Sequence, residues 1–155
     1  MTPFKRTPHA VYDTKYHLVW IPKYRKKIFS EIYANRLKEV FHEISVQYEF
    51  ETNTMEVMSD HIHFFLSAPP RYSPAKTVNI LKGVSSQIMF NDSPELRRNL
   101  WGAELCSDGY FVRTVGDKAT TEVIRRYIQY HKHEINISIC LKMIKCSALH
   151  GGVLS

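Results

Sequence analysis

The sequence predicts an α+β fold of the ferredoxin-like plan: a βαββαβ antiparallel sheet with both helices on one face, plus one appended C-terminal helix. Three observations predict it. Four short runs are rich in aromatic and β-branched residues. Two stretches with apolar residues at helical spacing lie between them. Each of those stretches opens on a serine placed as a helix cap. No internal repeat, low-complexity tract or linker breaks the order. Residues 1–155 therefore read as a single domain, with its core over about 11–133 and a tail over 134–155.

The first strand is Tyr16-His17-Leu18-Val19-Trp20-Ile21, closed by Pro22. Ser30 caps a helix whose apolar positions are Tyr33, Leu37, Val40, Phe41 and Ile44. A second strand runs from about Tyr48 to Met58 and a third from His61 to Ser67, with Ser59-Asp60 as the turn. Ser73 as cap and Pro74 in the first turn open a second helix, with Val78, Leu81 and Ile88 on one stripe. Gly109-Tyr110-Phe111-Val112-Arg113-Thr114-Val115 reads as the fourth strand, ended by Gly116-Asp117. Thr120 or Thr121 starts a third helix, in which Val123, Ile124, Tyr127, Ile128 and His131 share a face. After Glu134 the alternation of Ile135, Ile137, Ile139, Leu141 and Met143 suits a strand, but a continuing helix suits it too.

At 44% hydrophobic and 23% charged residues the chain can bury an ordinary core. No stretch approaches the ~20 apolar residues that span a bilayer, and no apolar run follows the basic N-terminus as a secretory signal would require. Cys106, Cys140 and Cys146 are odd in number and lack a CxxC spacing. That argues against disulfides or a cysteine-built zinc site and for a reducing cytoplasm.

Lys and Arg number 21 against 15 acidic residues, a formal charge of +6 that attracts polyanions. Lys23, Arg25, Lys26 and Lys27 cluster around Tyr24, just after Tyr16 and Trp20. Rings for stacking beside cations for phosphates suit a single strand of nucleic acid; equally, the rings can belong to the core while the cations flank a strand end.

His61 and His63 stand two apart on a strand, so both imidazoles share a face and can reach one metal ion. Ile62 then points into the core. The plainer reading is two partly exposed histidines bonded to backbone or water. Tyr127 lies one helical turn before His131, which sets a phenolic oxygen beside a metal-competent nitrogen. A tyrosine is a poor nucleophile at its ordinary pKa near 10, and a cation or a metal-bound phosphate helps it attack. The plainer reading of Tyr127 is a core aromatic with its hydroxyl at the edge.

Four stretches in this order carry a resemblance: residues 16–25, YHLVWIPKYR; residues 57–63, VMSDHIH; Leu81-Lys82-Gly83; and Tyr110-Phe111 through Val123-Ile124-Arg125-Arg126-Tyr127-Ile128. Over about residues 11–133 the chain resembles the small single-tyrosine transposases of the IS200/IS605 insertion-sequence family, within the HUH nucleases. The resemblance implies binding of single-stranded DNA hairpins at element ends. It implies a divalent metal, Mn2+ or Mg2+, on His61, His63 and one residue of the tyrosine helix, here His131. Tyr127 would attack the scissile phosphate, leaving a 5′-phosphotyrosine link and a free 3′-OH that later reseals a junction. No nucleotide cofactor is implied. A homodimer is, with the tyrosine helix able to serve the partner's histidines.

Two positions depart from that family. His131 stands where it usually has glutamine; a third imidazole is softer than an amide oxygen and leans the site towards manganese over magnesium. Ser59 stands where proline is frequent and changes only the turn. Candidate DNA contacts are Lys23, Arg25, Lys26, Lys82 and Arg113, with Gly83 as a small residue that lets a strand approach Lys82. Trp101 is expected to pack beneath this surface. The competing readings are a catalytically inactive single-stranded nucleic-acid-binding module of the same fold, a related replication or relaxase enzyme, and a metal-dependent hydrolase that uses water.

Overall fold

The computed structural model describes residues 4–100, 102, 104–116, 121–123 and 125–126. A small hairpin comes first, β1 (Lys5–Thr7) against β2 (Ala10–Tyr12), with Lys5 paired to Glu51. The main sheet contains β3 (Tyr16–Trp20), β4 (Glu51–Val57), β5 (Ile62–Ser67) and β6 (Phe111–Thr114) in the spatial order β4-β5-β3-β6. Every pairing in it is antiparallel. Helix α1 (Glu31–Tyr48) carries the chain from β3 over β5 to β4, and α2 (Pro74–Asp92) carries it from β5 towards β6. This is the ferredoxin-like order the sequence predicts.

β3 and β5 are the central strands and are buried along their whole length, as their nearly unbroken apolar runs require. One sheet face supplies Leu18, Trp20, Ile62, Phe64 and Leu66 to the core; the helices answer with Leu37, Phe41, Ile44, Val78, Leu81 and Met89. Trp20 meets Phe41 edge-on at 5.8 Å, and Phe41 lies 5.3 Å from Phe64. The alternate residues of the same strands, His17, Val19, His63 and Phe65, face the other side of the sheet and are also buried.

Both helix starts follow the sequence. Ser30 Oγ accepts from the Tyr33 amide, and Ser73 Oγ accepts from the Lys76 amide at 3.1 Å, with Pro74 in the first turn. Tyr48 does not begin a strand as expected. It ends α1, and Glu49 closes the helix in the left-handed conformation, φ 59°, donating to the Ser45 and Val46 carbonyls. The strand therefore starts at Glu51. The hairpin β1–β2, a one-turn 3-10 helix at Lys23–Arg25 and α3 (Pro94–Asn99) were not foreseen, being too short to show a period. Residues 121–123 and 125–126 are helical, with Glu122 paired to Arg125 and Arg126. Val123, read as sharing a face with Tyr127 and His131, is exposed. The expectations for Trp101 and for the tail after Glu134 lie outside the described residues.

Candidate active site

The site is built on the face of β5 away from the helices. Ile62, Phe64 and Leu66 point into the core, so alternation turns His63 the other way. His61 sits just before the strand, and its carbonyl accepts from the Met58 amide at 2.9 Å, closing the turn through Ser59 and Asp60. The two imidazoles lie with ring centres 5.0 Å apart and planes at 84°. Both residues are buried, against the plainer expectation of partly exposed strand histidines.

Each imidazole is held at its Nδ1. His61 Nδ1 lies 2.8 Å from Asp60 Oδ1, a carboxylate–histidine contact of the kind that orients metal ligands. His63 Nδ1 lies 3.1 Å from Nε2 of His17 on β3, and those two rings stack with centres 5.4 Å apart and planes 14° from parallel. Phe111 of β6 meets the His17 ring edge-on at 6.2 Å.

Their surroundings keep His17 and His63 neutral. Burial, then the neighbouring His17 and His61, lowers the His63 pKa to about 3. Burial, then the Arg113 guanidinium, lowers that of His17 to about 4. Neutral imidazole is the form that binds metal. His61 Nε2 is buried and has no hydrogen-bond partner among the described residues. An uncompensated buried nitrogen is costly unless something takes its lone pair or proton. A divalent metal fits it, since the opposite nitrogen is already held by Asp60. Among the described residues no third His, Cys, Asp or Glu completes a metal cluster with the pair. The expected third ligand, His131, and the expected nucleophile, Tyr127, lie outside the described residues.

The candidate DNA contacts separate into distinct environments. Arg113 is exposed on β6, and its register partner is His17, which puts it on the sheet face that carries the histidines. Lys26 is exposed, with its ammonium 3.4 Å from the Asn99 carbonyl. Lys23 pairs with Glu104, and Asp108 lies 4.0 Å away. The backbone of Arg25 belongs to the 3-10 turn. The Lys82 ammonium is committed to the chain itself: it donates to the carbonyls of Ser107, Asp108 and Gly109 at 2.7, 3.1 and 3.0 Å. A Cβ on neighbouring Gly83 would meet nothing within 4 Å among the described residues, so glycine is not demanded there by the packing of the fold. Of the three rings read as possible stacking partners, Tyr16 and Trp20 are buried in the core; only Tyr24 is exposed, at φ 58°.

Two residues that hold the site were not singled out from the sequence. Asp60 reads from the sequence as a turn residue, although its position directly before His61 is the signal. His17 needed the β3–β5 pairing, because nothing in its own strand shows which histidine it will meet.

The chain is similar to known transposases. The family model described as IS200-like transposase matches residues 10–131. The ISDra2 transposase TnpA of Deinococcus radiodurans is 39% identical over 119 residues, covering 77% of this chain and 84% of that protein. The transposase of insertion sequence IS200 from Salmonella typhimurium is 29% identical over 130 residues, covering 84% of each. The crystal structure of a presumed transposase from Deinococcus radiodurans R1 superposes with a TM-score of 0.66 at 34% identity, covering 84% of this chain and 99% of that one. A REP-associated tyrosine transposase bound to a REP hairpin shares the fold at a TM-score of 0.54 and 12% identity, covering 99% of this chain and 76% of that one. With the family model matched across most of its length, this chain belongs to the IS200-like transposases and is a DNA-processing enzyme.

Proposed function

We propose that the chain cuts and rejoins single-stranded DNA at insertion-sequence ends through a 5′-phosphotyrosine intermediate on Tyr127. In this reading His61, His63 and His131 hold a divalent metal ion at the scissile phosphate. The observation that carries it is the buried histidine pair at the start of β5, with Nδ1 of His61 held by Asp60 and its Nε2 left without a hydrogen-bond partner among the described residues. When bound, the ion withdraws charge from the phosphate and orients it.

The residues divide the remaining work. The Tyr127 oxygen forms a bond to phosphorus as the bond from phosphorus to the 3′ oxygen breaks; the phenolic proton is lost and the 3′ oxygen leaves as a hydroxyl. In the reverse sense a 3′-OH attacks the phosphotyrosine and restores the phenol, so one phosphodiester is exchanged for another without a nucleotide cofactor. Arg113 offers an exposed cation on the sheet face that carries the histidines, where a DNA phosphate would lie. Lys23, Arg25 and Lys26 are proposed as further DNA contacts after β3, beside the exposed ring of Tyr24. A homodimer completes the reading, with Tyr127 serving its own or the partner's histidine pair.

The test is cleavage of labelled single strands tiled across the flanks of the protein's own gene. Cleavage should stop on chelation, return with Mn2+ or Mg2+, and be absent from the His61→Ala and His63→Ala variants. Metal-independent cleavage, or equal cleavage of duplex and single strands, would overturn the reading.

A further inference from the structure

From the contact between neighbouring strands we infer that His17 is a positioning residue for His63: its Nε2 accepts the proton on His63 Nδ1 and so turns the His63 Nε2 lone pair towards the metal. This inference rests on the metal site proposed above. It is carried by geometry. His17 Nε2 and His63 Nδ1 are 3.1 Å apart, and the two rings are stacked and nearly parallel. His17 is a diagonal neighbour across the β3–β5 ladder, where Val19 is the register partner of His63 and Phe65 that of His17. His17 therefore has its backbone fixed by strands on both sides, with Phe111 of β6 against its ring.

The arrangement matches what Asp60 does for the other histidine. His61 Nδ1 is bonded to a carboxylate, and His63 Nδ1 is bonded to an imidazole. A histidine has one proton to place when neutral, so an acceptor at Nδ1 decides which nitrogen keeps a lone pair. Both histidines then present Nε2. Partners of this kind typically change metal affinity by about 10–100-fold when removed.

The experiment has two parts. In the first, Mn2+ binding to the DNA-free protein is followed by electron paramagnetic resonance for the parent, His17→Ala and His17→Gln. Alanine should weaken binding by at least about 10-fold, and glutamine, whose side-chain carbonyl can accept the same proton, should recover most of it. Parent-like binding by a folded His17→Ala variant would overturn the inference. So would a glutamine variant as weak as alanine, because the effect would then be one of packing. In the second part, 15N spectra of the metal-free parent report the tautomer directly and need no variant to fold. A protonated Nδ1 on His63 supports the inference, and a protonated Nε2 overturns it. A parent that binds no Mn2+, while His63 carries its proton on Nδ1, would sink the metal site and leave the His17 contact standing.

Discussion

Replacing Lys82 by methionine separates two roles the same side chain could have. Methionine keeps an unbranched apolar stem and removes the charge and all three donors. Hydrogen bonds from a charged group contribute about 1.5–3 kcal/mol each, so three carbonyls set a ceiling of roughly 5–9 kcal/mol. Two things reduce it. Burial lowers the pKa of Lys82, so holding the ammonium there already costs free energy that methionine does not incur. The carbonyls at 107–109 lie on a loop beside exposed Asp108 and can turn to water. A net loss of about 1–3 kcal/mol remains, which for a chain of this size lowers Tm by roughly 3–10 °C. The assay is thermal unfolding beside salt-dependent binding of a single strand. A lower Tm with an unchanged salt slope identifies a clasp that holds the loop leading into β6. An unchanged Tm, with the slope of log K against log salt reduced by about 0.7, would mean that Lys82 contacts phosphate and would refute the reasoning.

Further outcomes follow from the same structure. In metal-free protein His17 and His63 have folded pKa values of about 4 and 3, below the ordinary 6.5, so the unfolded chain binds protons first as the pH falls. Their contribution is fully present above about pH 6.5 and is lost progressively down to about pH 3; for His17 alone the loss is roughly 3 kcal/mol. Urea unfolding at pH 7.5 and pH 4.5 checks it, and equal midpoints would contradict the burial of these rings. Phe64→Ala empties the centre of the core beside Phe41 and should cost about 3–5 kcal/mol in the same assay. His131→Gln should raise activity in magnesium relative to manganese; an unchanged ratio counts against His131 as a ligand.

Long, periodic elements were legible because one physical rule decides each. Ser30 and Ser73 announce their helices by capping, and Ile62, Phe64 and Leu66 fix the face of β5 by alternation. The same two-residue spacing brings His61, just before the strand, to the ring of His63. What stayed hidden depends on neighbours that are distant in sequence. His17 and His63 are 46 residues apart and meet only through strand pairing. The engagement of Lys82 by the 107–109 carbonyls is likewise set by where a loop returns to α2. Tyr16 and Trp20 looked equally suited to stacking on bases or to the core, and the sheet face they occupy decided for the core. The end of α1 at Tyr48 was missed because Glu49, rather than a glycine, takes the left-handed cap.

The proposed reaction stands or falls on a covalent bond between Tyr127 and DNA. The measurement is a denaturing gel of the protein with labelled single strands from the flanks of its gene, with and without Mn2+. The expected result is a labelled protein band that requires the metal, is lost in Tyr127→Phe and is lost in His61→Ala. Cleaved DNA with no protein-linked label, or a band that survives Tyr127→Phe, would contradict it.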